Sequence, residues 1–517
     1  MSQRHDSLAY VAGRERMRRD LRAGYRRAMR LTALGTLFPG AGLTQTRHKK
    51  LGWFLVSLVL CSAALAAYVL LTRGVMKTAL TVLSNGTTLQ YAAIALLVGG
   101  AVWATSIVLT AISSRPERLD HSRTRLLAAF TTMMVALVAA GSYQVADYAL
   151  ITKDTLSDVF SDAPLKPGEG AKVIQGADDP WKDTPRVNIL LLGSDAGVNR
   201  IGTRTDSMVV VSIDTKTGRS TLISLPRNLQ NAPLPKDSPL REWYPSGIYG
   251  QPECFRLRYD ENDPCLLNAI WVEGDEFRAE HPDSYPGEAS AGRYQAREVI
   301  EEVVGLEIDH TVIIDLKGFQ ELIDAMGGVD INVRGGGQDG TRPLPYGKKY
   351  SNGRYSYYFK PGPQHLTGYQ ALWYARTRAA DDDFYRQARQ RCVIKAVVGQ
   401  VNPAEMLGQY AKIAKIAKDN IYTDIPGANL PAFVELIERV QKSKIGSVAL
   451  TEKQGIDSSD PDYDKIRAMV QKAINPPVVT PKPTPTSTTN DGTPASTPTK
   501  TPTSVSTTTK GVDEDGC

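Results

Sequence analysis

Residues 187–195 read Val-Asn-Ile-Leu-Leu-Leu-Gly-Ser-Asp. A run that is apolar but for Asn188 and ends at glycine suits a strand buried on both faces of a sheet, where no polar alternation is needed. The carboxylate of Asp195 then falls at the carboxyl end of that strand, where α/β sheets bind ligands. Working downstream, 208–213 and 220–225 are β-rich runs joined by Asp-Thr-Lys-Thr-Gly-Arg, a hairpin signal. Segments 266–278 and 297–304 carry helical spacing, 311–316 reads as a strand, and 318–326 as a helix stopped by Gly327-Gly328. Thr367 and Gln370 form a capping-box pattern ahead of a helix near Ala371, and a further helix covers 383–400. Strands and helices alternate with one hairpin, so the expected fold is α/β: a central mixed β-sheet flanked by helices.

This domain, 185–475, occupies part of a 517-residue chain. Upstream, 51–71, 89–112 and 126–146 are uncharged and apolar. Each is long enough to cross a bilayer core of about 30 Å as a helix. Residues 51–150 therefore read as three transmembrane helices, with 31–43, short and carrying Pro39, Gly40 and Gly42, as an interfacial or re-entrant piece. The net charge of +6 hides an asymmetry: twelve Lys or Arg lie in residues 1–50. Such a basic arm serves nucleic acid or an anionic membrane surface; the apolar runs behind it favour the membrane, and no nucleic acid is expected. Arg115, Arg118, Arg123 and Arg125 separate spans two and three, against only Arg73 and Lys77 between spans one and two. Positive residues stay inside, which predicts a multi-pass protein of the cell membrane with a cytoplasmic amino terminus and everything after Ala146 outside. Polar residues 151–184 read as an extracellular stalk, and the Pro/Thr/Ser-rich stretch 476–517 as a disordered tail.

Four cysteines, Cys254, Cys265, Cys392 and Cys517, fall in the external part, where disulfides persist. They allow three full pairings; Cys254 and Cys265, close together in a loop-like stretch, are the candidate pair. No C-x-x-C and no histidine cluster points to zinc.

Two groups of residues carry chemistry. Asp195 is followed by Arg204 and Asp206, two apart and so on one side of an extended segment, and the hairpin returns the chain to Arg227. Far downstream, Arg376 and Arg378 close one helix, and Asp383, Arg386 and Gln390 share a face of the next. Read singly, an Asp after a strand is a turn or cap, and a charged helix face is solvated. Together they amount to three carboxylates and several guanidinium forks; two carboxylates with those arginines suit a pyrophosphate with Mg²⁺. Neither a Walker A loop nor a kinase signature is present, so a nucleotide donor is not favoured.

The segments NILLLGSD, GTRTDSMVVVSID, ISLPRN, IDHTVIIDLKGF, DAMGGVDINV, GPQHLTGYQALWYARTR and DDDFYRQARQ resemble, in order and spacing, the LytR-CpsA-Psr family of cell-wall glycopolymer transferases. Three spans preceded by Pro-Gly-Ala-Gly look like its actinobacterial type. The resemblance implies a phosphotransferase (a peptidoglycan ligase) that moves a glycopolymer from a polyprenyl-pyrophosphate carrier onto peptidoglycan, forming a phosphodiester. Teichoic acid and arabinogalactan are among the polymers it allows, and the prenyl tail would lie in an apolar channel between sheet and helices. It assigns Asp195 and Asp206 to Mg²⁺, or Mn²⁺ in its place. Arg204, Arg227, Arg376 and Arg378 would hold the pyrophosphate, and Arg386 and Gln390 the phosphate shell. Asp383 would orient Arg386 or aid deprotonation. Asn228 departs from the family's usual Asp, which leaves the charge partner of Arg227 open. The rival readings are a polyprenyl-pyrophosphate-glycan pyrophosphatase and a membrane signalling or attenuator protein.

Overall fold

The structure is a computed structural model that describes residues 2–83, 85–117, 119–159, 170–175, 177–194, 205–250, 265–288, 290–337, 339–402, 405 and 410–476. The chain divides into two compact units, one of residues 1–162 with 426–431, the other of the remainder.

The first unit is helical. Helix α1 (Ser2–Leu37) is followed, after a 3-10 turn, by α2 (Lys49–Arg73), α3 (Val75–Leu83), α4 (Gly86–Ser114) and α5 (His121–Val159). Among them Lys49–Thr72, Gly86–Ser114 and His121–Asp154 are long and apolar enough to cross a membrane. Asn85 caps α4 by accepting the Thr88 amide at 3.0 Å, as an Ncap asparagine does. The piece at 31–43 is not a separate element. Its first half completes α1, whose Gly35 carbonyl accepts the Trp103 indole of α4 at 2.8 Å, and Leu31, Thr32 and Leu43 are buried. Gly42 permits this approach, because a Cβ there would lie 2.4 Å from the Leu31 carbonyl oxygen.

The second unit is built on twelve short strands among the described residues: β1 (Arg186–Ser194), β2 (Thr205–Asp214), β3 (Ser220–Leu225), β4 (Ala232–Pro233), β5 (Ile248–Tyr249), β6 (His310–Asp315), β7 (Val329–Val333), β8 (Leu344–Lys349), β9 (Tyr355–Phe359), β10 (Gly362–Leu366), β11 (Ile421–Thr423) and β12 (Ile445–Ala449). Six form the central sheet in the order β11-β6-β1-β2-β3-β12. β1 is parallel to β6 and β3 to β12, while β1/β2, β2/β3 and β11/β6 are antiparallel. The sheet is mixed, with β1 at its centre, and alternation divides its side chains. Leu190, Leu192, Met208, Val210, Ile223 and Leu225 face α6 (Ile270–Glu280), α7 (Ala291–Val304) and the helix Tyr463–Ile474. Val187, Ile189, Val211 and Ile213 face Trp181 and the helix Leu430–Gln441. Burial on both faces is why β1 shows no polar alternation.

A second core joins α8 (Leu316–Ala325), α9 (Gly368–Arg376) and α10 (Asp383–Gln400) to strands β7 to β10. The capping box at α9 is complete: Thr367 accepts the Gln370 amide, and the Gln370 side chain accepts the Thr367 amide.

The expected stalk at 151–184 is corrected. Helix α5 continues to Val159, and 170–175 and 177–184 pack onto the domain. Trp181 is 2% exposed, meets Phe433 edge-on at 5.1 Å and donates its indole N–H to the Ala432 carbonyl. A tryptophan in a polar stretch is a packing anchor once its N–H finds an acceptor. Cys265 and Cys392 are both buried and disulfide-bonded, and Cys61 is free. Cys254 and, beyond Pro476, the carboxyl-terminal tail with Cys517 lie outside the described residues.

Candidate active site

The site begins where β1 and β2 stop matching residue for residue. Gly193 pairs with Ser207, but Ser194 pairs with Thr205, so Asp206 is the extra residue of a β-bulge. A bulge breaks the alternation of the strand and re-aims one side chain. Arg204 and Asp195 lie outside the described residues.

Arg227 follows β3 immediately after Pro226. Its Nη1 donates to Asp206 Oδ1 at 2.9 Å, so Arg227 has its charge partner on the neighbouring strand rather than at position 228. Asn268, just ahead of α6, donates its backbone amide to the Arg227 carbonyl at 3.2 Å and its side-chain amide to Asp206 Oδ1 at 3.5 Å. Burial alone would raise the Asp206 pKa. The hydrogen bond and charge of Arg227, the charge of Arg386 and the Asn268 contact outweigh it and leave the carboxyl below its ordinary value. Asp206 is therefore an anion at neutral pH.

The downstream group arrives on the α9–α10 connection. Three successive aspartates take three different roles there. Asp381 is held by Arg389, Asp382 caps α10 by accepting the Phe384 amide at 3.0 Å, and Asp383 faces the arginines. Asp383 Oδ2 accepts from Arg386 Nη2 at 3.1 Å and from Gln387 Nε2 at 3.2 Å. Its Oδ1 lies 3.0 Å from Arg386 Nη2 and 3.8 Å from both Arg227 Nε and Arg378 Nη1, too misaligned or too far for a hydrogen bond. Arg227 thus stands between Asp206 and Asp383 and joins the two halves of the site. Gln390 accepts from the Ser207 hydroxyl at 3.3 Å, tying α10 to the residue beside the bulge. Arg376 ends α9, and Arg376 and Arg378 are both exposed.

Three guanidinium groups, Arg227, Arg378 and Arg386, surround two carboxylates, which leaves an excess of positive charge. Arg386 is buried, and burial, with Arg227 nearby, lowers its pKa against the pull of Asp383 and Asp206. It stays protonated, as arginine does in proteins. Its Nε, the Asp383 Oδ1 atom and the Thr205 hydroxyl are buried without a hydrogen-bond partner among the described residues. Orphaned buried donors call for a ligand or water, and one of these, Arg386 Nε, is cationic.

The same residues bear on a metal. No group of three His, Cys, Asp or Glu residues placed to hold an ion occurs among the described residues. Mg²⁺ needs no such cage, since one or two carboxylates and substrate phosphates suffice. The ionised Asp206 fits that demand.

Sequence reasoning missed Arg389, Asn268 and Ser207. No local pattern distinguishes Arg389 from Arg386 or Arg391 in the run FYRQARQR. Asn268 is adjacent only in space.

Over 251 residues, 48% of this chain and 52% of the relative, the sequence is 26% identical to the polyisoprenyl-teichoic acid–peptidoglycan teichoic acid transferase TagV of Bacillus subtilis. The chain thus spans about half the length of that relative. It is 25% identical over 319 residues, 60% of this chain and 81% of the relative, to the corresponding transferase TagU of Oceanobacillus iheyensis. The crystal structure of B. subtilis TagV superposes with a TM-score of 0.38 at 22% identity, covering 56% of this chain and 97% of that one. The LytR_cpsA_psr family profile matches residues 161–474, well over half of the chain, and the protein belongs to that family.

Proposed function

We propose that the protein transfers a glycopolymer from a polyprenyl-pyrophosphate carrier to a hydroxyl of peptidoglycan, forming a phosphodiester. The observation that carries this reading is the meeting of Asp206, Arg227, Arg378, Asp383 and Arg386 at one site with a buried cationic donor, Arg386 Nε, that has no hydrogen-bond partner among the described residues. The relatives TagV and TagU, transferases by name, support it.

In this reading the acceptor oxygen attacks the phosphorus on the sugar side. The bridging P–O bond breaks, its electron pair leaves with polyprenyl phosphate, and the hydroxyl proton is taken up by that leaving phosphate. Arg227 and Arg378 hold the pyrophosphate oxygens, and Arg386 adds the buried donor, so charge on the leaving phosphate is met by guanidinium groups already in place. Asp383, bound to Arg386 and Gln387, orients that guanidinium. Asp206, with Asp195, would hold Mg²⁺, which when bound supplies further positive charge to the phosphates. Arg204 and Arg376 complete the pyrophosphate grip and Gln390 the shell.

Three helices long and apolar enough to span a membrane precede the domain, and a lipid-linked donor accounts for that anchor. By the charge rule the amino terminus is cytoplasmic and the domain is outside.

The test supplies purified full chain in micelles with radiolabelled lipid-pyrophosphoryl glycan and insoluble peptidoglycan. Label bound covalently to the wall supports transfer. Label released as free glycan phosphate, with or without peptidoglycan, would make the protein a pyrophosphatase.

A further inference from the structure

Strands β8 and β9 form a two-stranded hairpin whose chemistry the transfer reaction does not use. Between Pro343 and Pro361 the chain holds four basic residues, Lys348, Lys349, Arg354 and Lys360, and no acidic one. All four are exposed. Tyr350, Tyr357 and Tyr358 are 50%, 55% and 47% exposed. Aromatic rings rimmed by charge on a soluble surface mark a binding face rather than a core.

The hairpin is anchored, not loose. Its root, Leu344 and Phe359, is buried in the second core. Tyr346 stacks on Phe359 at 3.9 Å and on Tyr357 at 5.4 Å, so a column of rings runs from the core to the surface. An isolated hairpin is marginal in water, and this packing supplies the support. The root is also tied to the candidate site. The Thr377 hydroxyl donates to the Pro345 carbonyl at 2.7 Å, and Thr377 stands between Arg376 and Arg378. Phe359 meets Tyr374 of α9 edge-on at 5.7 Å.

We infer that this hairpin is the docking platform for the sugar chain carried by the lipid pyrophosphate, and that this chain is a polyanion. The inference rests on the transfer reading above. A glycan attached to a pyrophosphate held by Arg376 and Arg378 leaves the site beside β8, because Thr377 binds that strand. Sugar rings present C–H groups of partial positive charge to the negative face of a tyrosine ring. Four cations with no ion pair among the described residues favour a chain bearing phosphate or carboxylate on its repeating units, and disfavour a neutral one.

The experiment uses the full chain in detergent micelles and two lipid-free probes of matched length, poly(ribitol phosphate) teichoic acid and a neutral galactan. The polyanion should bind, and its affinity should fall as salt screens the contact. Tyr357→Ala should weaken binding by about tenfold, and the combined Lys348→Gln, Lys349→Gln, Arg354→Gln variant by at least as much, while Tyr357→Phe, which keeps the stack, should bind normally. Equal binding of the neutral galactan, or unchanged affinity in the variants, overturns the platform. So does protection of Tyr357 from nitration by a bilayer nanodisc without any glycan, which would turn the hairpin to the membrane. A wild-type chain that binds the polyanion but links nothing to peptidoglycan sinks the transfer reading and leaves the platform standing. A chain that transfers while its hairpin variants bind normally overturns the platform alone.

Discussion

Arg389 grips Asp381 with both ends of its guanidinium, Nη1 to Oδ2 at 2.6 Å and Nη2 to Oδ1 at 3.0 Å, and both side chains are shut off from solvent. The same arginine donates Nε to the Tyr374 carbonyl and Nη2 to the Thr377 carbonyl. Four contacts to the end of α9 and to the loop beyond it hold the segment that carries Arg376 and Arg378. Removing one partner of such a pair leaves a buried charge and costs about 3–5 kcal/mol. Arg389→Ala and Asp381→Ala should therefore lower the melting temperature sharply, as calorimetry of the full chain would read. Arg389→Lys should recover little, since an ammonium cannot reproduce the fork. A wild-type melting curve for Asp381→Ala would remove the clamp from this account.

Asp206 and Arg227 should behave as a unit. Asp206→Ala should abolish metal-dependent transfer while leaving prenyl-tail binding, an apolar burial, largely intact. Arg227→Ala should reduce turnover by about 10²–10³-fold if it stabilises the leaving phosphate, and Arg227→Lys should restore only a small part. Comparison of transfer rates and lipid binding on the purified chain checks both. Metal-dependent transfer at the normal rate by Asp206→Ala would show that this carboxylate holds no ion.

Acid should expose the same pair. The Asp206 carboxyl titrates below its unfolded value, so its stabilising effect is present above the unfolded pKa and is lost as pH falls through the lower folded one. Asp206→Asn should flatten that part of the acid limb in denaturant titrations below about pH 4. An identical acid limb in the variant would contradict the assignment.

Glu301 predicts the opposite slope. Burial, only partly offset by the Ile308 amide and by Arg297, pushes its carboxyl up to about 7. The folded state then holds a proton that the unfolded chain releases, so this contribution is present below the unfolded pKa and is lost as pH rises toward 7. Glu301→Gln should remove about 2–3 kcal/mol of that pH dependence at most. Urea midpoints measured from pH 4 to pH 8 decide it; equal slopes for wild type and variant would count against a buried protonated Glu301.

Topology is open to a direct test. A reporter fused after residue 160 should be active only outside the cell, and one fused near residue 118 only inside. External activity at 118 would overturn the charge-based orientation.

The local elements were legible because their signals are local. Helix α10 covers the segment 383–400 read from spacing, the α9 capping box is the one written at Thr367 and Gln370, and the largely apolar run at 187–192 is the central strand covered on both faces. Each depends on chain geometry within a few residues. What the chain meets far away was not legible. Asp381, Asp382 and Asp383 are identical letters in a row, and only the positions of Arg389, of the start of α10 and of Arg227 give them separate tasks. Asp206 faces Arg227 through a bulge that no periodicity announces. The polar stretch before β1 looked like a stalk until Trp181 found Phe433 and the Ala432 carbonyl, some 250 residues on. Sequence alone determined which segments become strands, helices and apolar spans, because those follow from the alternation and spacing of side chains. The tertiary structure decided which charge meets which, because a salt bridge depends on distance in space, and the sheet order brings β3, the β2 bulge and the start of α10 to one place.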